Sequence, residues 1–361
     1  MKQIIFLLVL FSLFIGGGVL AQASTPAATA LPNGWNEIPL PTGICARGTA
    51  YRFFVHPANP DKLLIYFQGG GACWNAATCK VGGTFEDSVN EAALASYLGI
   101  FNFDNPLNPI ADYSVVFLPY CTGDIFTGSS TQSFTAGDGS SFQIHFAGFT
   151  DAQAVLDWTY AHYPNPTNLI VTGSSAGSYG AIFNAPYILS HYSQAQAAVF
   201  GDAGVGVGGA GAGASAAGAE SAANIGVWGT LKNVYKNIGY LATVTQGDVA
   251  SGLWAGAAQT FPNVSFGLYT TYADETQTSY YVLGGGTAAD WTPGMEKILS
   301  GLDRYGNFHS YIAPGSVHTI LPRPLFYTMR TDETPFRQWF TTLISGGALA
   351  NVACTDCTTG S

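Results

Sequence analysis

Short apolar runs of strand length alternate along this chain with segments whose apolar residues recur every three or four positions. Tyr51–Val55, Leu63–Phe67 and Tyr113–Leu118 are such runs, the first two joined by the turn-forming Pro57-Ala58-Asn59-Pro60, and apolar or aromatic runs bounded by turn formers read as strands. Phe85–Leu98 reads as a helix, and so does Ala152–His162, where Ala152, Val155, Leu156 and Tyr160 share one face. Leu169-Ile170-Val171 has the composition of a buried strand and runs through a tight turn into an Ala-rich segment of helical length. Ala197–Phe200, Val264–Tyr272 and Phe308–Ile312 continue the strands, while Trp291–Leu302 and Pro335–Ile344 read as helices. Ile225, Trp228, Leu231, Tyr235, Ile238 and Leu241 recur at helical spacing and mark a helical insertion at about 220–260. Pro32–Gly48, rich in Pro and Gly, reads as a surface segment. Alternating strands and helices predict an α/β fold, a mostly parallel central sheet with helices on both faces, in one domain over residues 24–361.

The turn after Val171 carries the chemistry. It reads Gly173-Ser174-Ser175-Ala176-Gly177, a Gly-x-Ser-x-Gly placed between strand and helix. That context is a nucleophile elbow, in which the central serine takes a strained backbone conformation and its neighbours must be small. The helix that starts near Ala176 directs its free N–H groups toward any oxyanion formed there. Earlier, the strand Leu63–Phe67 runs straight into Gln68-Gly69-Gly70-Gly71-Ala72-Cys73-Trp74. Three glycines after a strand let backbone N–H groups approach a ligand, as the other half of an oxyanion hole requires; the plainer reading is a flexible loop.

A serine nucleophile needs a base and a carboxylate to orient it, in the chain order Ser, acid, His for this architecture, each on a loop after a strand. His318 fits the base. His56, His145 and His162 precede the elbow, His191 follows it too closely, and His309 lies within a predicted strand. Asp202 and Asp274 both follow predicted strands. The expected late position favours Asp274, with Asp202 as the alternative acid or a buried carboxylate supporting the site.

Composition narrows the setting. Charged residues are 9% of the chain and the formal net charge is -10, without a Lys/Arg cluster, which argues against nucleic acid or an anionic membrane as partner. Met1–Ala23 has a single Lys2, an apolar run from Ile4 to Ile15 and Ala21-Gln22-Ala23, the pattern of a secretory signal peptide cleaved after Ala23 and too short to be a membrane span. Six cysteines (Cys45, Cys73, Cys79, Cys121, Cys354 and Cys357) in an exported chain read as up to three disulfides. Their spacing matches no zinc pattern, and no metal or cofactor is expected. Residues 203–219 are almost entirely Gly, Ala, Val and Ser, either a flap near the site or an inert surface loop.

Several blocks together resemble the pectin acetylesterase and Notum family: Gly69 to Cys73 with Cys79, Phe117-Leu118-Pro119-Tyr120-Cys121 with Asp124, Gly173 to Gly177 with Asn184, Asp202-Ala203-Gly204, Asp274-Glu275-Thr276-Gln277, and His318. The likeness runs from about Cys45 to His318. It implies a secreted α/β-hydrolase that cleaves carboxylic esters, with Ser175 as nucleophile, Asp274 as acid, His318 as base, and the N–H groups of Gly70, Gly71 and Ala176 as oxyanion hole. It also implies the disulfides Cys45–Cys121 and Cys73–Cys79, leaving Cys354–Cys357 as a local closure. The chain departs from the family in having Gly71 and Ala72 where a Trp commonly precedes the loop cysteine, and the tract after Asp202 has no counterpart. An acylated polysaccharide is the expected substrate. A lipid, fatty-acyl or polyester substrate is the alternative, followed by a non-catalytic glycan-binding protein and a protease with the same triad.

Overall fold

The structure is a computed structural model that describes residues 31–207 and 249–357. The leader Met1–Ala23, residues 208–219 of the Gly/Ala tract and the periodic stretch Ile225–Leu241 lie outside the described residues.

In chain order the strands are β1 (Asn36–Ile44), β2 (Ala50–His56), β3 (Asn59–Phe67), β4 (Tyr113–Leu118), β5 (Ser130–Thr135), β6 (Ser141–Phe146), β7 (Asn168–Ser174), β8 (Gln196–Asp202), β9 (Ser265–Thr271), β10 (Phe308–Ala313), β11 (Arg330–Thr331), β12 (Thr334–Pro335) and β13 (Val352–Ala353). Nine of them form one sheet in the order β1-β2-β4-β3-β7-β8-β9-β10-β13. β1 pairs with β2, and β2 with β4, antiparallel; every pairing from β4 onward is parallel. The predicted strands fall on β2, β3, β4, β7, β8, β9 and β10.

Three expectations are corrected. Asn59 and Pro60 open β3 instead of forming a turn. Pro32–Gly48 contains β1, whose Pro39 and Pro41 are tolerated because an edge strand leaves one row of backbone groups unpaired. Phe85–Leu98 is helical only over Ala92–Ser96. Its start pairs instead with the glycine loop, where Glu86 N–H donates to Gly70 O at 2.8 Å and Ala72 N–H to Thr84 O at 3.3 Å.

Side-chain alternation along the strands feeds two apolar layers. Leu64, Tyr66, Phe117, Phe200, Tyr269 and Tyr311 join Phe336, Trp339, Phe340 and Leu343 of helix Phe336–Ile344 in one buried cluster. A Cβ at Gly267 would lie 2.5 Å from Leu343 Cδ2, so the 267 and 269 side of β9 faces that helix. The adjoining Phe266 meets Trp254 of helix Val249–Thr260 with ring centroids 6.5 Å apart, on the opposite face. The chain thus has the predicted α/β architecture with helices on both sides.

The disulfides Cys45–Cys121, Cys73–Cys79 and Cys354–Cys357 are formed. The first ties the turn after β1 to the loop after β4, and the second closes the far end of the glycine loop. Cys357 O accepts from Gly315 N at 3.1 Å, so the third stands against the loop after β10.

Near the first disulfide, Asp151 is buried (2% exposed), and Ile44 N–H at 3.3 Å is a long hydrogen bond to its carboxylate. Burial, with the neighbouring Asp124 adding to it, pushes its carboxyl up to about 8. A carboxyl raised in the folded state contributes stability that is present below the unfolded value of roughly 4 and is lost as pH rises toward 8. Asp151→Asn, which keeps an acceptor for Ile44, is expected to match the parent near pH 4 and exceed it by on the order of 2 kcal/mol at pH 8. Denaturant midpoints across that range check this, and a gap that widens toward acid would contradict it.

Candidate active site

The parallel strands deliver their C-terminal ends to one edge, where open α/β sheets bind ligands. Phe67, Gly173 and Gly201 lie side by side across β3, β7 and β8, and Ser174 pairs with Asp202, which pairs with Tyr269 of β9. With strands about 4.8 Å apart, the residues just beyond these ends are neighbours by register alone.

The elbow stands at the end of β7. Ser175 has φ 56 and ψ -122 and is the N-cap of helix Ala176–His191, a conformation that costs a non-glycine residue on the order of 1–3 kcal/mol. Its surroundings hold it there. Ser175 N–H donates to Asp202 O at 2.7 Å. A Cβ on Gly173 would meet the Gly177 carbonyl, one on Gly177 the Phe67 carbonyl, and one on Gly69 would lie 2.9 Å from Ser175 Cβ. No side chain fits at these three positions.

Gly70 and Gly71 follow β3 beside the elbow. Gly71 has φ +77, and a Cβ there would run into the Thr84 carbonyl and the Tyr280 hydroxyl. The bonds to Thr84 and Glu86 use the carbonyl of Gly70 and the N–H of Ala72. The N–H groups of Gly70, Gly71 and Ala176 have no acceptor among the described residues. The triplet is therefore an anchored loop with unspent donors, not a flexible one. Tyr280 braces it by donating to Thr84 O.

Asp274 follows β9 and His318 follows β10. Asp274 is fully buried. It caps helix Glu275–Leu283, its Oδ1 accepting Gln277 N–H at 2.8 Å, and both carboxylate oxygens stand 2.9 Å from His318 Nδ1. Gln277 Nε2 donates to Asp274 Oδ2 and to Thr270 Oγ1, both at 3.0 Å, while its Oε1 accepts Val205 N–H at 2.9 Å. Gln277 thereby fixes the carboxylate against both β9 and the chain leaving β8. The imidazole is mostly covered, with 16% of its side chain exposed. With Nδ1 engaged by the carboxylate, Nε2 is buried and unpartnered among the described residues.

Asp202, at the same edge, turns its carboxylate to other partners. Its fully buried carboxylate accepts Ser174 Oγ–H at 2.6 Å and the N–H groups of Ile320 and Leu321, each at 2.9 Å, and it makes no hydrogen bond to the imidazole. Of the two candidate acids, Asp274 is the one that engages His318. Sequence reasoning quoted Gln277 without giving it a role and missed Tyr280 and the Tyr66 hydroxyl, 2.7 Å from Ser174 Oγ. Gln277 had a signal, since Asp followed three residues later by Gln marks a helix start; Tyr280 and Tyr66 join the site only through tertiary contacts.

A sequence profile described as Pectinacetylesterase matches residues 39–210, which include the glycine loop, the elbow and Asp202. The chain is 27% identical over 150 residues to the palmitoleoyl-protein carboxylesterase NOTUM of Schmidtea mediterranea, covering 39% of this chain and 27% of the relative. It is equally similar to the palmitoleoyl-protein carboxylesterase notum2 of Xenopus laevis, covering 29% of that protein. The chain thus aligns with little more than a quarter of the length of these curated relatives. Its fold resembles that of the Wnt deacylase Notum from Drosophila, with a TM-score of 0.60 at 15% identity over 89% of this chain and 96% of that one. These likenesses, with the paired sheet edge and the three-glycine loop in one molecule, support a relationship to the pectin acetylesterase and Notum family, and the overall fold is that of Notum.

Proposed function

We propose that this protein is a secreted serine carboxylic ester hydrolase that removes acetyl or other short acyl groups from a polysaccharide. The observation that carries the reading is the Asp274–His318 pair, whose unpartnered Nε2 belongs to the loop at the same sheet edge as the strained Ser175. In the proposed reaction Ser175 Oγ attacks the ester carbonyl and His318 Nε2 takes its proton. Asp274 holds Nδ1–H and stabilises the imidazolium. The oxyanion develops against the N–H groups of Gly70, Gly71 and Ala176, each worth about 2.7–4 kcal/mol of barrier in comparable sites. The imidazolium then returns its proton to the leaving alcohol, and water, activated by the same base, releases the acid from Ser175.

Export is supported by the leader-like Met1–Ala23 and the three disulfides. No helix of the described residues is long and apolar enough to cross a membrane. A fatty-acyl substrate is the second reading, favoured by the palmitoleoyl-protein carboxylesterases among the relatives.

Hydrolysis of p-nitrophenyl esters of rising chain length separates the two. For a short-acyl enzyme, kcat/KM is expected to fall at least about tenfold from acetyl to octanoyl as the chain outgrows its pocket. Rates that hold or rise to octanoyl would favour the fatty-acyl reading.

A further inference from the structure

Asp202 accepts hydrogen bonds from three donors on its carboxylate and one on its carbonyl, and the proposed reaction does not use it. It holds the elbow twice, through its carbonyl on Ser175 N–H at 2.7 Å and through its carboxylate on Ser174 Oγ–H at 2.6 Å. On its other side it takes the N–H groups of Ile320 and Leu321, the second and third residues after His318. Those donors reach it because Thr319, at φ 61, turns the chain inward immediately after His318. A threonine held in the left-handed region needs such restraint, since its β-branched side chain disfavours it. The serine and the imidazole, 143 residues apart in sequence by their numbers (318 less 175), are thus each within three residues of a bond to one carboxylate.

We propose that Asp202 is a positioning residue whose buried carboxylate, by bonding Ser174 on one side and the Ile320–Leu321 backbone on the other, sets the reach from the Ser175 hydroxyl to the His318 imidazole. The inference rests on the ester-hydrolase reading above. The ionised form suits the role, because a carboxylate accepts from three donors whereas a carboxylic acid must turn one oxygen into a donor. Burial, opposed by those hydrogen bonds and by His318, lifts the carboxyl to about 6. The titratable groups around it are Tyr66 of β3, Tyr97, Tyr269 of β9 and His318, and burial raises the three phenols, which stay neutral. Loss of a proton from Asp202 therefore builds the active arrangement, and gain of one loosens it.

The test is steady-state hydrolysis of p-nitrophenyl acetate by the full chain and its variants. Asp202→Asn presents an amide N–H₂ to donors and is expected to lower kcat on the order of 100-fold with KM little changed, as a misplacement of about 1 Å does. The acid limb of kcat should be steeper than one proton in the parent and a single-proton limb in Asp202→Asn, a change that a merely structural role would not produce. If Asp202→Asn does not fold, Ser174→Ala decides. It removes one donor and leaves the backbone bonds, and it should lower kcat several-fold at constant KM. An unchanged kcat in a folded Asp202→Asn, a loss confined to KM, or identical acid limbs would overturn the inference. Turnover that survives Ser175→Ala would instead remove Ser175 as the nucleophile, the reading on which this inference rests.

Discussion

Ser175→Ala is expected to fold as the parent does and to hydrolyse p-nitrophenyl acetate roughly 10⁶-fold more slowly, the scale set by removing a nucleophile from a serine hydrolase. Folding should be unaffected because alanine carries the same Cβ into the same φ of 56, so the strain at the elbow is neither relieved nor increased. The bond from residue 175 N–H to Asp202 O, which seats the turn, is a backbone bond and survives. The loss should lie in kcat, since the hydroxyl serves the bond-making step. A thermal melt beside the kinetics checks both halves. Turnover within a few-fold of the parent would remove Ser175 from the mechanism.

Asp274→Asn is expected to lower kcat about 10⁴-fold, because an amide in place of the carboxylate favours the wrong imidazole tautomer and leaves the imidazolium uncompensated. Both carboxylate oxygens lie 2.9 Å from His318 Nδ1, and the side chain is fully buried, so water cannot replace it. Asparagine also caps helices well, and Oδ1 should keep Gln277 N–H. Asp274→Ala loses the cap as well and should cost about a further 1 kcal/mol of stability. Comparing melts of the two variants separates the electrostatic role from the structural one. If Asp202 were the acid instead, Asp274→Asn would retain most of the parent's kcat.

The part of the site legible in the sequence is the part written in short buried runs. Leu169-Ile170-Val171 before the elbow lies in a fully buried part of β7, β9 before Asp274 is buried from Phe266 on, and β10 before His318 is mostly buried, so their apolar residues mark them as strands. What lay hidden depends on partners far away in sequence. β1 carries Pro39 and Pro41 and is a strand because β2 pairs with it. Phe85 and Glu86 have helix-compatible neighbours, yet the glycine loop claims their backbone. β5 is Ser, Thr and Gln around a single Phe134 and has the pattern of a polar loop until β6 pairs with it, whereas β6 alternates Phe142, Ile144 and Phe146 with polar residues, a strand period that sequence reasoning passed over. The disulfide partners were legible only through family resemblance, since six cysteines allow 15 pairings. In the sequence Asp202 and Asp274 both stand at the end of an apolar run, and only the later chain position and the family resemblance favoured Asp274. The fold gives Asp274 the imidazole and Asp202 the backbone beyond it.

The central claim is that the Ser175 hydroxyl is activated by the His318 imidazole. Treatment of the full chain with a fluorophosphonate, followed by intact mass and peptide mapping, tests it directly. One phosphonyl group is expected, on the peptide containing Ser175, with labelling slowed by several orders of magnitude in His318→Ala. Labelling at another residue, or at the same rate without the imidazole, would contradict the account.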